Sequence, residues 1–332
     1  MPRHAFVCAV LAFLLPHALP AQVLQLQAVA DATADSSQPT VNFGSSPQLD
    51  LGKNFTYTPT FAVWFLRGHF QFDLTPVAGL GVPQRARLFW YQSSAGAAGC
   101  LPVDLFRVTA SWSESTVTWA NKPPHDAVPV ASACIGDSFA NGWKQFDVTS
   151  LVQGWLAGSY ANHGMVVRDP SESQAGAARP GYGHSRESAS VALRPYLELD
   201  FGTTFGAGCG PAGAAVQAFQ SGAPSPGSSF VLRTGNLLAG SVPGAILGLS
   251  NTQWGTTPLP VSLAFAGFPG CSLAVAPDAV VAFGLLATSQ FDLIWPVPND
   301  VTLVGLTVFS QTFAFGPIGT FHLANGVGVT IH

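Results

Sequence analysis

The stretch "HFQFDL" (residues 69–74) decides the fold class, because apolar and polar side chains alternate strictly along it. In an extended strand Phe70 and Phe72 point to one face and the polar residues between them point to the other. The same alternation runs through "RARLFWYQ" (85–92) and "YLELDFG" (196–202). The pattern predicts half-buried strands with one face against a core.

The composition of the chain agrees with a strand-built protein. Charged residues make up only 9% of the chain, whereas hydrophobic residues make up 48%, and there are 35 Gly and 26 Pro. Long amphipathic helices need many Lys and Glu on their polar faces, so short strands joined by Gly/Pro turns fit better. The formal net charge of −4 gives no indication of nucleic-acid binding.

One segment departs from the strand pattern. "DVTSLVQGWLAGS" (147–159) offers Asp147 or Thr149 as a helix N-cap, places apolar residues on one helical face, and ends at Gly158. We therefore predict one short helix, lying across an open end of the first sandwich or on its flank.

Charge divides the chain into two parts. Eleven of the thirteen Lys and Arg residues lie between 22 and 202, and from 203 to 332 the only charged residues are one Arg and three Asp. We predict two antiparallel β-sandwich domains of jelly-roll type, at 22–202 and 203–332. In the second, "DLIWPVPND" (292–300) predicts a strand that lies at an edge or ends at its prolines.

The N-terminus predicts export. Residues 1–21 combine an early Arg, a short apolar run and small residues before Gln22, which is typical of a cleaved signal peptide. No later segment predicts a membrane span, so we expect a secreted, extracellular or cell-surface protein.

Cysteine usage fits that compartment. Without Cys8, four cysteines remain, and their order predicts the disulfides Cys100–Cys134 and Cys209–Cys271, one in each half. A zinc site is the alternative, but the four residues lack the close spacing that zinc sites favour.

Several segments follow one another in a recognisable order: "ADATADSS" (30–37), "NFGSSPQLDLG" (42–52), "FQFDL" (70–74), "RARLFWY" (85–91), "RVTASWSESTVTWANKP" (107–123), "FDVTSLVQGWLAGSYANHGMVV" (146–167), "HSRES" (184–188) and "RPYLEL" (194–199). Through these segments, residues 29–200 resemble the DNRLRE domain, a family of carbohydrate-binding-module type. The resemblance implies a β-sandwich that binds polysaccharide, including acidic glycans such as alginate. The remainder loosely resembles an exported bacterial β-module of unknown function.

The most specific of these pieces contains "SWSESTVTWANKPP" (111–124), which could be a sugar site or a structural signature. The two tryptophans differ in strand parity, so a turn near Ser113–Ser115 must separate them. We expect Trp119 to pack inward and the segment to serve folding, with Glu114 the one member worth testing for function.

Candidate ligand contacts gather elsewhere. Sugar sites combine aromatic faces with polar side chains, and Trp90, Tyr91, Trp143, Tyr160 and Tyr182 are the candidate rings, although Trp90 and Tyr91 must face opposite sides of a strand. The loop "RPGYGHSRES" (179–188) and its vicinity supply the expected carbohydrate-binding set: Arg168, Arg179, Tyr182, His184, Arg186 and Glu187. Arginine forks match uronate carboxylates, whereas an ion pair of Arg186 with Glu187 or Asp169 is the structural alternative.

A metal site is a further candidate. Asp31 and Asp35, with Asn42 nearby, offer oxygen ligands for a structural Ca²⁺, and turn capping is the competing explanation. The sequence predicts no other cofactor.

We find no nucleophile elbow and no zinc-protease motif in the sequence. The leading hypothesis is a secreted, non-catalytic polysaccharide-binding protein, with the C-terminal module as a spacer or docking element that contacts another protein. The alternatives are a structural matrix or cell-surface protein, and a polysaccharide-degrading enzyme of lyase or disaggregating type.

Overall fold

The fold was obtained as a computed structural model, which describes residues 23–56, 62–78, 80–95, 100–135, 141–172, 180–211 and 213–332. The predicted signal peptide and Arg179 lie outside these residues. The described chain is an all-β protein with antiparallel sheets and one α-helix, as the alternation predicted. No described helix has the length and apolarity that a membrane crossing requires.

The described residues of the first half form eleven strands and a helix. Their bounds are β1 Val23–Gln27, β2 Ala30–Asp35, β3 Gln48–Thr56, β4 Ala62–Gln71, β5 Arg85–Ala95, β6 Leu101–Arg107, β7 Ala131–Ile135, β8 Gly142–Asp147, α1 Thr149–Leu156, β9 Met165–Arg168, β10 Gly181–His184 and β11 Tyr196–Asp200, with 3-10 turns at Thr75–Val77 and Val191–Leu193.

These strands form two facing layers. Sheet I has β5 at its centre, with β8 on one side and β11 and β10 on the other, followed by β1 and the first half of β3. Sheet II consists of the second half of β3, then β4, β9, β6 and β7, with β2 also paired to β4. Strand β3 passes from one sheet to the other at Gly52, whose φ of 97° favours glycine.

The core between the layers is built by the inward residues of each strand. Phe70 and Phe72 are fully buried there, as are Leu88 and Trp90 on β5. Helix α1 adds Leu151 and other apolar side chains to the same core. Asp147 lies just before the helix, and its Oδ1 accepts a hydrogen bond from the Thr149 N–H at 2.9 Å. After the helix the chain turns at Gly158, whose φ is 70°. The helix prediction is confirmed.

The described residues of the second half form twelve strands. Their bounds are β12 Thr203–Phe205, β13 Val216–Gly222, β14 Ser229–Gly235, β15 Val242–Gly248, β16 Gln253–Trp254, β17 Thr257–Pro258, β18 Val261–Ser262, β19 Ser272–Leu273, β20 Ala279–Ala282, β21 Phe291–Pro296, β22 Thr307–Phe315 and β23 Phe321–Thr330, with 3-10 turns at Ala264–Ala266, Val301–Leu303 and Pro317–Gly319. A five-stranded sheet, β12-β23-β22-β15-β20, accompanies a three-stranded sheet, β13-β14-β21. Strand β21 lies at an edge and ends at Pro296, as its prolines predicted.

The inner strands of the five-stranded sheet, β15, β22 and β23, contribute side chains to apolar clusters on both faces. One face shares an apolar core with β14 and β21, and the other packs against the segment around Cys271 and Val275. Gln311 connects this covering segment to the sheet, since its Oε1 accepts from the Ala274 N–H at 2.8 Å and its Nε2 donates to the Ser272 carbonyl at 3.0 Å.

Both predicted disulfides form, Cys100–Cys134 with Cα atoms 5.0 Å apart and Cys209–Cys271 with Cα atoms 5.3 Å apart. They are consistent with an oxidising, extracellular environment. The halves also contact each other: Gln84 Nε2 donates to the Gly328 carbonyl at 3.1 Å, and Gln153 Nε2 donates to the Gly222 carbonyl at 2.9 Å. The proposed domain boundary at residue 202 stays a prediction.

Candidate functional site

The outer face of sheet I carries a cluster of aromatic rings, which we call the aromatic face. Its members are Phe89, Tyr91, Trp143, Tyr182, His184 and Tyr196. They alternate with inward core residues, so strand parity places them all on the solvent side of β5, β8, β10 and β11.

The rings contact one another across strands. Tyr91 and Trp143 are direct partners in the β5–β8 register, with centroids 5.2 Å apart, and Trp143 also meets Tyr196 at 5.0 Å. Phe89 stacks on Tyr196 at 4.8 Å, and Tyr91 meets His184 at 5.7 Å. The Trp143 side chain remains 36% exposed, so its indole presents apolar surface to solvent.

Two glycines in β10 leave no room for inward side chains, so the rings of this strand lie on its outward side. Gly181 and Gly183 point inward: a Cβ atom at Gly183 would overlap the buried Trp90 indole, and one at Gly181 would press on Ile135 and the edge of the same indole. Tyr182 and His184 therefore take the outward positions between and after them. The expectation of an exposed Gly-rich loop is wrong at this point, because the segment is a strand paired on both sides.

Polar side chains surround the rings. Asn54 Nδ2 donates to the Tyr182 hydroxyl at 3.0 Å, and Gln48 Nε2 donates to Asp50 Oδ1 at 2.8 Å. Burial raises the pKa of Asp50 to about 6, and burial likewise raises the pKa of Tyr182. The face can thus offer amide, hydroxyl and carboxyl groups beside its apolar rings.

A second polar group, around Arg87, flanks the Phe89 end of the aromatic face. The Arg87 guanidinium contacts Glu198 Oε1 at 2.5 Å and donates to Gln145 Oε1 at 2.9 Å. Its Cζ also lies 5.0 Å from the centre of the Phe89 ring. These contacts hold the arginine over the Phe89 ring rather than extended into solvent.

The predicted rings separate into two groups. Tyr91, Trp143 and Tyr182 lie on the aromatic face, whereas Trp90 is in the core. Tyr160 packs against Gly154 of α1 and under the Arg107 guanidinium, at 4.3 Å. The parity argument for Trp90 and Tyr91 is confirmed.

The expected charged residues do not gather in one groove with Tyr182. Arg168 lies on β9 in sheet II, over the Phe106 ring at 4.7 Å and 3.5 Å from Glu172. The Arg186 side chain follows β10 and points to Glu114, with NH1 2.6 Å from its Oε2 and 3.1 Å from Glu187 Oε1. The Arg186–Glu187 ion pair that competed with ligand binding is present.

The segment 111–124 covers the outer face of sheet II. Trp112 packs on a small apolar cluster with Phe106 and meets the His69 ring at 5.6 Å. A turn at Ser113–Thr116 separates the tryptophans as expected, shown by the Thr116 N–H donating to the Ser113 carbonyl at 3.1 Å. Trp119 is half-buried, with Lys122 Nζ 4.0 Å from the centre of its ring, so the expectation that it packs inward is wrong.

The candidate metal ligands lie in different surroundings. Asp35 Oδ1 accepts from the Ser37 N–H and hydroxyl, both at 2.7 Å, and so serves a turn. Asp31 instead lies with Glu114 and Glu187, with one carboxylate oxygen of each within 4.8 Å of the others. No sequence signal connects these three, because they are far apart along the chain.

Reasoning from the sequence also missed Phe89 and Tyr196 as members of the aromatic face. Their signal was available, since Phe89 shares the parity of Tyr91 in "RARLFWYQ" and Tyr196 shares that of Glu198 in "YLELD". A cavity of about 540 Å³ lies elsewhere, between α1 and Gly222. The aromatic face is an open platform rather than a cavity.

Comparison with known proteins identifies the class. The model of carbohydrate-binding module family 96 matches residues 22–200, more than half of the chain. The chain belongs to this family of binding modules, and it does so over the part that carries the aromatic face. The match confirms the expected type of module and leaves the narrower DNRLRE assignment untested.

Other comparisons give little. A crystal structure of Parabacteroides merdae beta-glucuronidase is 14% identical with a TM-score of 0.15, over 74% of this chain and 25% of that one. A beta-D-mannosidase from Dictyoglomus thermophilum is 6% identical with a TM-score of 0.16, over 90% of this chain and 34% of that one. The chain therefore spans a quarter to a third of these structures, and no curated protein matches it.

Proposed function

We propose that this chain is an exported, non-catalytic polysaccharide-binding protein, and that the glycan lies across the aromatic face. The observation that supports this most directly is the half-exposed ring cluster around Trp143 in the part of the chain that matches the binding-module family. Sugar rings present C–H groups to such aromatic surfaces and hydroxyls to the polar side chains around them.

The charge of the bound glycan is the finer question. The resemblance implied acidic glycans such as alginate, with arginines as carboxylate forks. Yet Arg186 already forms ion pairs with two carboxylates, and Arg87 forms one with Glu198. Because these guanidinium groups already have partners, we propose that ring stacking dominates and that uronate chains gain no advantage over neutral ones.

Affinity electrophoresis of the full-length protein tests both parts. The gels contain either a neutral β-glucan, a mannan, alginate or polygalacturonate at matched concentrations. Retardation by at least one neutral polysaccharide supports the proposal. Retardation by the uronate polymers alone would show that uronate chains do have an advantage, and mobility unchanged in every gel would contradict polysaccharide binding. A reducing-end assay and an unsaturated-product assay on the same polymers test for degradation, which we expect to be absent.

A second candidate concerns the C-terminal half. Strand β20 lies at the edge of the five-stranded sheet, and all four of its residues, Ala-Val-Val-Ala, are exposed. An uncharged apolar edge is a template for pairing with another strand. We propose a second copy of this chain as its partner, with two β20 strands meeting antiparallel. Sedimentation velocity of wild type and Val281→Lys tests this: a concentration-dependent dimer lost in the variant supports it, and a monomer at all concentrations contradicts it.

A further inference from the structure

Three carboxylates and one guanidinium meet at the end of sheet I, beyond His184. Asp31 comes from β2, Glu114 from the segment 111–124, and Glu187 from the turn after β10. Three separate parts of the chain thus bring acidic side chains to one place. Among the described residues Arg186 is the cation that pairs with this cluster, so carboxyl groups outnumber cations there.

Most oxygens of the cluster have identified donors. Asp31 Oδ2 accepts from the Arg186 N–H at 2.8 Å, and Glu114 Oε1 accepts from the Asp31 N–H at 2.8 Å. The Arg186 side chain bonds the other Glu114 oxygen and one Glu187 oxygen. These bonds hold the carboxylates in place but do not satisfy all of them.

Two buried oxygens remain without a donor: Asp31 Oδ1 and Glu187 Oε2. The Asp31 side chain is 1% exposed, so solvent does not solvate it. Burial of an unpaired carboxylate oxygen is costly, and native proteins compensate for it with a proton, a donor or a metal ion.

We propose that Asp31, Glu114 and Glu187 form a binding site for a divalent cation, Ca²⁺ in preference to Mg²⁺. The spacing admits calcium, because two oxygens that share a Ca²⁺ ion lie at most about 4.6–5.2 Å apart at Ca–O distances of 2.3–2.6 Å, and calcium tolerates irregular carboxylate geometry better than magnesium does. The oxygens here lie within 4.8 Å of one another. Each carboxylate oxygen has a second lone pair, so Glu114 and Glu187 can bind the ion while keeping Arg186.

The site has a structural consequence for its surroundings. It joins β2 and the covering segment to the turn that directly follows His184, whose Nδ1 lies 2.7 Å from the Ser188 hydroxyl. A bound cation therefore stabilises the end of β10 and the segment 111–124 together. The positive charge of Arg186 partly offsets the attraction between the carboxylates and the cation. We therefore expect a Kd of about 10⁻⁴–10⁻³ M, as in extracellular calcium modules. This inference does not depend on the proposed glycan function.

Thermal unfolding of the full-length protein tests the site, with 5 mM EDTA, 5 mM CaCl₂ or 5 mM MgCl₂. We expect Ca²⁺ to raise the Tm of wild type by several degrees and Mg²⁺ to raise it less. Asp31→Asn keeps the shape of the side chain and removes one carboxylate ligand, so it should fold in EDTA and show no Ca²⁺ response. Glu187→Gln should bind Ca²⁺ about tenfold more weakly.

Asp35→Asn is the matched control, because it removes a buried carboxylate from the same strand outside the cluster and should keep the full response. Terbium provides a second readout, since Tb³⁺ replaces Ca²⁺ and Trp112, two residues from Glu114, can sensitise its luminescence. Wild type and Asp35→Asn should luminesce, and Asp31→Asn should not. A wild type that shows neither response, equal stabilisation by Mg²⁺, or an Asp31→Asn variant that responds like wild type would overturn the assignment.

Discussion

The Trp143 indole lies edge-on to the Tyr91 ring, with centroids 5.2 Å apart and planes at 84°. The two residues are direct partners across β5 and β8, and both face away from the core that buries Trp90. This pair forms the centre of the aromatic face, and the functional account depends on it.

Replacing Trp143 by Ala should weaken polysaccharide binding about tenfold or more, which corresponds to about 1.4 kcal/mol or more of binding free energy. The reason is the loss of the most exposed stacking surface on the face. Affinity electrophoresis on the polymer that retards wild type measures the effect. Trp254→Ala is the control, because Trp254 is also exposed but lies on β16 in the second half. Equal weakening in both variants would count against the aromatic face.

Replacing Gly183 by Ala should lower the free energy of unfolding by about 1–3 kcal/mol, the usual cost of overpacking. A Cβ atom at this position would overlap the Trp90 indole and the Tyr91 carbonyl oxygen. Urea denaturation measures the change. Gly142→Ala on β8 is the matched control, since its Cβ would meet no atom within 4 Å. A Gly183→Ala protein as stable as this control would show that the inward packing of β10 is not tight.

Much of this architecture could be predicted from the sequence, and the limits are physical. Alternation assigns inward and outward sides within one strand. It therefore predicted that Phe70 and Phe72 share one face of their strand, and that Trp90 and Tyr91 lie on opposite faces of theirs. It does not show what covers the outward side. His69 has polar parity, yet it is buried because Trp112, distant along the chain, packs over it. The carboxylate cluster was hidden for the same reason, since its members meet only through tertiary packing.

His69 should make stability depend on pH. Burial lowers its pKa from 6.5 to about 3, so the folded protein keeps it neutral where the unfolded chain takes up a proton. Its contribution is therefore complete above about pH 6.5 and decreases by about 1.4 kcal/mol per pH unit as the pH falls towards 3.

Urea denaturation of wild type and His69→Leu between pH 7.5 and 4 isolates this effect as the difference between the two free energies of unfolding. Relative to the variant, wild type should lose stability steadily below pH 6.5. Parallel pH profiles would show that His69 is protonated, or accessible to protons, in the folded state.

Replacing Gln311 by Ala should destabilise the protein by about 1–3 kcal/mol, because the buried Ala274 N–H loses its acceptor. The same side chain also donates to the Ala324 carbonyl at 2.8 Å. Hydrogen exchange should show faster exchange of the Ala274 amide, and thermal unfolding should report the loss of stability. Gln253→Ala, at an exposed position, is the control and should change neither. An unchanged Ala274 exchange rate would contradict the role given to Gln311.

The central claim, that the glycan lies across the aromatic face, is tested most directly by the indole N–H resonances of the eight tryptophans. The full-length protein is titrated with an oligosaccharide of the polymer that it binds, and a Trp143→Phe variant assigns the resonance of interest. We predict that the Trp143 signal shifts with saturation while those of Trp90 and Trp254 stay in place. Saturable binding that leaves the Trp143 signal unmoved would contradict the account.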